Sequence, residues 1–120
     1  MTDIPRRIQL SRRKGWRLPP NTVVVSRPSR WGNPYAASMY DVRDESGAPM
    51  RDGPERKQII RELATRDHFM WLGAHPEGEA VAAQARVELR GKNLACWCPL
   101  PAEGEIDHCH AANLLEVANG

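Results

Sequence analysis

Thr22-Val23-Val24-Val25-Ser26 is the best strand in this chain, and its reading decides the fold class. A threonine and three valines are β-branched strand formers, bounded here by Pro19-Pro20-Asn21 on one side and Arg27-Pro28 on the other. The run shows no polar–apolar alternation, so burial on both faces is expected, as in the middle of a parallel sheet. Downstream, Asn93-Leu94-Ala95-Cys96-Trp97 reads as a second strand. The stretch between the two is helical in pattern, and a long helical crossover is how parallel strands are joined.

Working outward, Ile8-Gln9-Leu10 alternates and reads as a short first strand, and 41–53 as a loop. A helix is expected from Pro54 to about Leu72, capped by Asp52, with a stripe of Ile59, Ile60, Leu63, Met70 and Trp71. Gly73 to Gly78 reads as a break. A second helix follows from Glu79 to about Arg90, with Val81, Ala82, Ala85 and Leu89 as its apolar face and Gly91 just past its end. The last helix is expected from Asp107, as N-cap, to about Ala118, with Leu114, Leu115 and Val117 turned inward. The prediction is a small single α/β domain over 1–120, with a short, mostly parallel sheet flanked by about three helices. Parallel strands end at one edge, where open α/β sheets bind ligands. The Arg27–Pro34 loop and the Cys96–Pro99 segment leave the sheet there, so the site is expected at that edge.

Composition narrows the class. A chain of 120 residues suits one domain with a modest core that a metal staple would help to hold. No apolar run approaches the length of a membrane helix. Met1–Arg7 lacks the apolar stretch of a signal peptide, so a cytoplasmic protein is expected. An odd count of three cysteines in that compartment argues against disulfides. The first thirty residues carry eight basic groups and one acid, whereas the other ninety carry nine basic and fourteen acidic groups. That asymmetry suggests an anionic partner, a nucleotide or nucleic acid, at one face; a solvated arm without a partner is the plain alternative.

The strongest chemical signal lies near the C-terminus. All three cysteines fall within fourteen positions, in Ala95-Cys96-Trp97-Cys98-Pro99 and Asp107-His108-Cys109-His110. Zinc takes four ligands, commonly thiolates and imidazoles. Cys96, Cys98 and Cys109 with His110, or with His108, would complete such a set. A thiol at a helix N-terminus also has its thiolate favoured by the helix dipole. The alternatives are a reactive thiol and buried structural cysteines. His75-Pro76-Glu77 upstream adds a third thought, a zinc-dependent nucleobase deaminase with its His-x-Glu. That pattern requires Pro-Cys-x-x-Cys, and this chain has Cys-x-Cys-Pro.

Arg27-Pro28-Ser29-Arg30-Trp31-Gly32-Asn33-Pro34 has the makeup of a nucleotide site. Arg27 and Arg30 suit phosphate, Ser29 adds a hydroxyl, Trp31 suits base stacking, Gly32 allows close backbone approach, and Asn33 can pair with a base edge. The bland reading is an ordered turn with Trp31 plugging the core. Arg12, Arg13, Lys14, Trp16 and Arg17, within the basic segment 1–20, interleave an aromatic with cations in the manner of single-strand binders.

Arg7-Ile8-Gln9-Leu10-Ser11-Arg12, Arg27–Tyr35, Leu89-Arg90-Gly91-Lys92-Asn93-Leu94-Ala95-Cys96-Trp97-Cys98-Pro99 and Cys109-His110-Ala111 together resemble domain of unknown function family 4326, small proteins of bacteria and their phages. The resemblance spans nearly the whole chain. It maps the family pattern onto Trp31–Pro34, Leu89–Lys92, Cys96, Cys98, Cys109 and His110, and favours His110 over His108. It implies no activity. Two functions follow as expectations. One is a nucleotide or nucleic-acid binder at the strand edge with a zinc site beside it, possible chemistry being hydrolysis or group transfer. The other is a non-catalytic zinc-stapled DNA- or RNA-binding module.

Overall fold

The computed structural model describes residues 4–120; Met1–Asp3, the start of the basic segment, lie outside them. Three parallel strands form one sheet in the order β1 (Arg7–Gln9), β3 (Asn93–Cys96), β2 (Thr22–Val24). Three helices accompany it: α1 (Pro54–Ala74), α2 (Pro76–Glu88) and α3 (His110–Asn119). None is long and apolar enough to cross a membrane. The α/β class, the parallel pairing and the helical crossover α1–α2 from β2 to β3 are as expected.

The centre of the sheet is not where the valine run suggested. β3 pairs on one side with β1 (Arg7 opposite Leu94, Gln9 opposite Cys96) and on the other with β2 (Thr22 opposite Asn93, Val24 opposite Ala95). Leu94, Ala95 and Cys96 are buried, whereas Val24 is 38 % exposed, so β2 is an edge strand. The small side chain of Ala95 explains the misreading: a central strand closely covered on both sides need not be rich in large β-branched residues. Only Val25, just past β2, is fully buried in that run.

Helix ends shift for identifiable reasons. α1 is capped by Gly53 without a side-chain bond; Asp52 instead lies 3.9 Å from Arg56. The buried face of α1 is Ile60, Ala64, Thr65, His68 and Leu72, and Met70 of the expected stripe is 61 % exposed. The expected Gly73–Gly78 break shrinks to one residue, His75. It ends α1 and caps α2, its Nδ1 accepting from the Glu77 amide at 3.2 Å. Pro76 at the first position and two glutamates in the first turn suit a helix start. α3 begins after Cys109, so its cap lies two residues later than expected, because Asp107 is engaged by Arg7. Gly91 takes φ +76°, the left-handed conformation glycine tolerates.

The core joins all layers. Val25, Trp31, Leu72, Ala82, Ala85, Leu89, Leu94, Ala111, Leu114 and Ala118 form one buried cluster that includes Cys96 and Cys109. α3 lies against β3 and β1, and α1 and α2 pack on α3 and on each other. The ends of α2 and α3 are tied by Arg90 Nε donating to Ala118 O at 2.9 Å and the Gly91 amide donating to Asn119 Oδ1 at 3.0 Å.

Candidate metal centre

Cys96 is the last residue of the central strand, and its side chain is buried where β3 reaches the carboxyl edge. The chain turns at Trp97 and brings Cys98 back, the two Sγ atoms 3.9 Å apart. Cys109 caps α3 with extended backbone and turns its buried thiol to the same point. The three Sγ atoms lie within 4.8 Å of one another. A tetrahedral zinc with bonds of about 2.3 Å holds its sulfur ligands roughly 3.8 Å apart, so the Cys96–Cys98 separation already fits one edge of that figure.

His110 adds an imidazole. Its Nε2 lies 2.7 Å from the Val25 carbonyl. A carbonyl only accepts, so Nε2 donates to it and Nδ1 is the nitrogen left to face the cysteines. Nδ1 is 3.9 Å from Cys109 Sγ. An imidazole anchored through one nitrogen on a backbone carbonyl is the usual support of a metal ligand. His108, the other candidate, has Nε2 3.5 Å from Glu62 Oε1 on α1. The structure thus groups His110 with the cysteines and gives His108 a carboxylate partner.

The thiols are unequal. Cys96 is held well below the ordinary thiol range because Cys109, and then Cys98, hydrogen-bond to its thiolate. Cys109 is pushed up by the same bonds to Cys96 and Cys98 and by burial. Its bond with Cys109 lowers Cys98, but Cys96 and burial outweigh that and leave it raised. One thiolate solvated by two thiols is what an ion-free cluster of three should hold, and a divalent cation would draw off the remaining protons. Behind His110, His68 meets its ring edge-on at 5.6 Å. Burial, then the His110 charge, hold the His68 pKa down to about 3. Asn113 bridges from α3, donating to Thr65 O at 2.8 Å and to His68 Nδ1 at 3.1 Å.

One side chain sets the Cys98 turn. Arg7, at the start of β1, is buried and spreads its guanidinium over three acceptors: Asp107 Oδ2 (2.5 Å), Cys98 O (2.8 Å) and Pro99 O (2.5 Å). It ties both cysteine segments to the first strand. Lysine keeps the charge but cannot span three acceptors in a plane. Arg7→Lys is therefore expected to cost about 2 kcal/mol in chemical denaturation, and an ion held at these thiols would be retained roughly tenfold less well. An unchanged denaturation midpoint would show that the turn holds itself.

The cluster forms one wall of a cavity of about 440 Å³ at the carboxyl edge. The opposite wall is α1, through Lys57, Ile60, Arg61 and Ala64, with Tyr35 and Trp97 also lining it. Among the Arg27–Asn33 candidates, Arg27 and Asn33 line this space; Ser29, Arg30, Trp31 and Gly32 do not. Trp31, expected to stack on a base, is 6 % exposed and belongs to the core. Arg30 lies over the Trp31 ring, pairs with Glu88 and reaches Gln84, which turns it toward α2. Asn33 is occupied locally: its Nδ2 donates to Ala64 O and its Oδ1 accepts from the Tyr35 amide. Ser29 Oγ accepts from the Trp31 amide, and Gly32 sits where a Cβ would come 2.7 Å from Arg27 Cγ. In the basic segment, Arg12 stacks on Trp97 at 4.6 Å. Arg13 and Trp16 line a separate shallow hollow, and Lys14 and Arg17 are exposed. His75 is spent as a helix cap and does not line the cavity.

Sequence reasoning missed Arg7 and Asp107 as supports, and Lys57, Arg61, Tyr35 and Trp97 as lining. The only signal was the i, i+4 spacing of Lys57 and Arg61 on one helix, which says nothing of what that helix faces.

Fold and site together define a small parallel α/β protein with a Cys-rich, potentially metal-holding centre at its strand edge. The family model "Domain of unknown function (DUF4326)" matches residues 8–120, and the chain belongs to that family. No curated protein and no solved structure matches it.

Proposed function

We propose that the protein holds one zinc ion through Cys96, Cys98, Cys109 and His110, and uses it in hydrolysis or group transfer on a nucleotide-class ligand bound in the adjoining cavity. The observation that carries this reading is that the three thiols converge within 4.8 Å of one another at the wall of a cavity, Cys98 half-buried there and Cys96 and Cys109 set in the core behind it. Three thiolates and an imidazole suit zinc better than the hard cations, which prefer oxygen. The ion would supply Lewis acidity at the cavity wall. The chain would orient the ligand between α1 and the Cys96–Cys98 turn and screen the reacting group from water. Free thiols suit a reducing compartment, which supports the cytoplasm as its location.

Elemental mass spectrometry of the purified protein tests the metal. About one zinc per chain is expected, lost in Cys98→Ser and in His110→Ala and kept in His108→Ala. Protein prepared without chelator and still free of metal would end this reading.

One observation favours the non-catalytic alternative: Arg12 and Trp97 stack at the rim, carrying the basic segment to the same edge. Binding to single-stranded DNA that falls steeply with salt, and is lost in Arg12→Ala with Lys14→Ala, would select that module.

A further inference from the structure

We infer that Arg27, Lys57 and Arg61 form a phosphate subsite at the mouth of the cysteine cavity, and that the ligand it takes is a phosphomonoester carrying a flat aromatic body, of mononucleotide size. This rests on the reading that the cavity is the ligand site, and it assigns two residues, Lys57 and Arg61, that no sequence motif picked out.

The first observation is charge without compensation. Three cationic side chains line the cavity, and among the described residues no carboxylate does. Elsewhere Arg7, Arg30, Arg43, Arg56 and Arg66 are each paired with an acid. Arg27, Lys57 and Arg61 have no such partner among the described residues; exposed cations such as Arg51 and Arg86 also have none, but these three are gathered on one cavity. Glu62, the acid beside Arg61 in sequence, is directed to His108. Among the described residues the one side-chain hydrogen bond these cations make is a long one, Arg27 Nη2 to Tyr35 O at 3.3 Å. Like charges gathered on one concave surface repel one another, and an anion relieves that repulsion while accepting their hydrogen bonds.

The second observation is how the cations are arranged. Lys57 and Arg61 are one turn apart on α1, so they share a face. Arg27 comes from the loop that leaves β2, on another side of the same cavity. Donors approaching from two elements suit a tetrahedral group with several free oxygens, as in a phosphomonoester.

The third observation is the rest of the lining. Ile60 and Ala64 are apolar, and Tyr35 and Trp97 are aromatic. Trp97 is 45 % exposed and is steadied by Arg12 against its ring. Apolar and aromatic walls with a few polar groups, in a volume of about 440 Å³, match a small-molecule site. Trp97 thus takes the stacking role that Trp31, locked in the core, cannot fill.

The phosphomonoester could belong to a free mononucleotide or to the phosphorylated end of a strand, and the test separates them. Calorimetric titration would use the full-length, metal-loaded protein. Its probes would be the four 5′-mononucleotides, their nucleosides, inorganic phosphate, and a 5′-phosphorylated oligonucleotide with its unphosphorylated twin. At least one mononucleotide is expected to bind roughly tenfold or more tightly than its nucleoside, with inorganic phosphate competing. Lys57→Gln with Arg61→Gln should weaken that binding roughly a hundredfold, about tenfold per cation, while zinc content stays unchanged. Arg51→Gln with Arg86→Gln, exposed cations away from the cavity, should leave it within twofold. An oligonucleotide that binds only when phosphorylated, and more tightly than any mononucleotide, would keep the subsite and assign a strand end to it. Nucleosides binding as well as nucleotides, or full affinity in the double variant, would overturn the inference. A protein that carries zinc yet ignores phosphate ends this inference alone. Phosphate binding in a protein without zinc ends only the metal reading.

Discussion

Removing the proposed zinc should lower the thermal unfolding midpoint by roughly 15 °C. An ion that binds the folded chain and not the unfolded one stabilises by about 4 kcal/mol when its free concentration is a thousandfold above the dissociation constant. For a chain of 120 residues, each kcal/mol moves the midpoint by roughly 4 °C. The loss falls short of total unfolding because the core extends well beyond the cysteines: Leu89, Leu94, Leu114 and Val25 are fully buried. What the metal-free chain lacks is the tie among the end of β3, the turn at Cys98 and the start of α3. Cys109→Ser should reproduce the lowered midpoint, and chelator should have no further effect on it. Identical melting with and without chelator would mean that the thiols hold no ion or that the ion holds nothing together.

An effect of similar size is expected far from the cysteines, in Gly78→Ala. A Cβ at that position would lie 1.9 Å from the Trp71 carbonyl oxygen and 2.5 Å from its carbon. Those are backbone atoms of α1, so no side-chain rotation relieves the clash. The same carbonyl accepts the His75 amide at 3.1 Å, which ends α1 and fixes the angle into α2. The helices would have to part, opening the layer where Leu72, Ala82 and Ala85 meet. A loss of about 3 kcal/mol or more follows. Gly73→Ala is the internal control: nothing lies within 4 Å of its Cβ, so the change should be neutral or stabilising by up to ~1 kcal/mol. Equal melting of the two variants would show that the helical corner is loose.

How far the sequence disclosed this arrangement varies from element to element. Thr22–Val25 announced a strand, and its lack of alternation announced a parallel sheet, because β-branched runs carry both signals locally. Which strand sits in the middle was not local information: it depends on β1 and β2 leaving a gap that residues 93–96 fill. The buried face of α1 was legible only in part: Ile60 stood in the expected stripe, whereas Ala64 and Thr65 do not stand out as apolar although they fall at helical spacing. The cysteine cluster was legible because thiols are rare and here sit close together. Arg7 was not, since a buried arginine and a solvated one look alike in sequence until their acceptors are known. Trp31 illustrates the reverse error: surrounded by arginines in the chain, it is surrounded by the core in space.

The strand order also fixes when this protein can fold as it leaves the ribosome. β1 and β2 are made early but do not pair with each other; both wait for β3. The first strand's partner is far along the chain, as the Arg6–Asn93 bond across 87 positions illustrates. Until then the nascent chain offers two short strands with open edges and two helices without their layer. Folding that depends on such distant contacts is slow and exposes sticky surface meanwhile. The cysteines follow the crossover, Cys96 at the end of β3 and Cys109 just before α3. An ion held at those thiols could therefore not nucleate β1, β2 or the two crossover helices, all of which are made before any of its ligands.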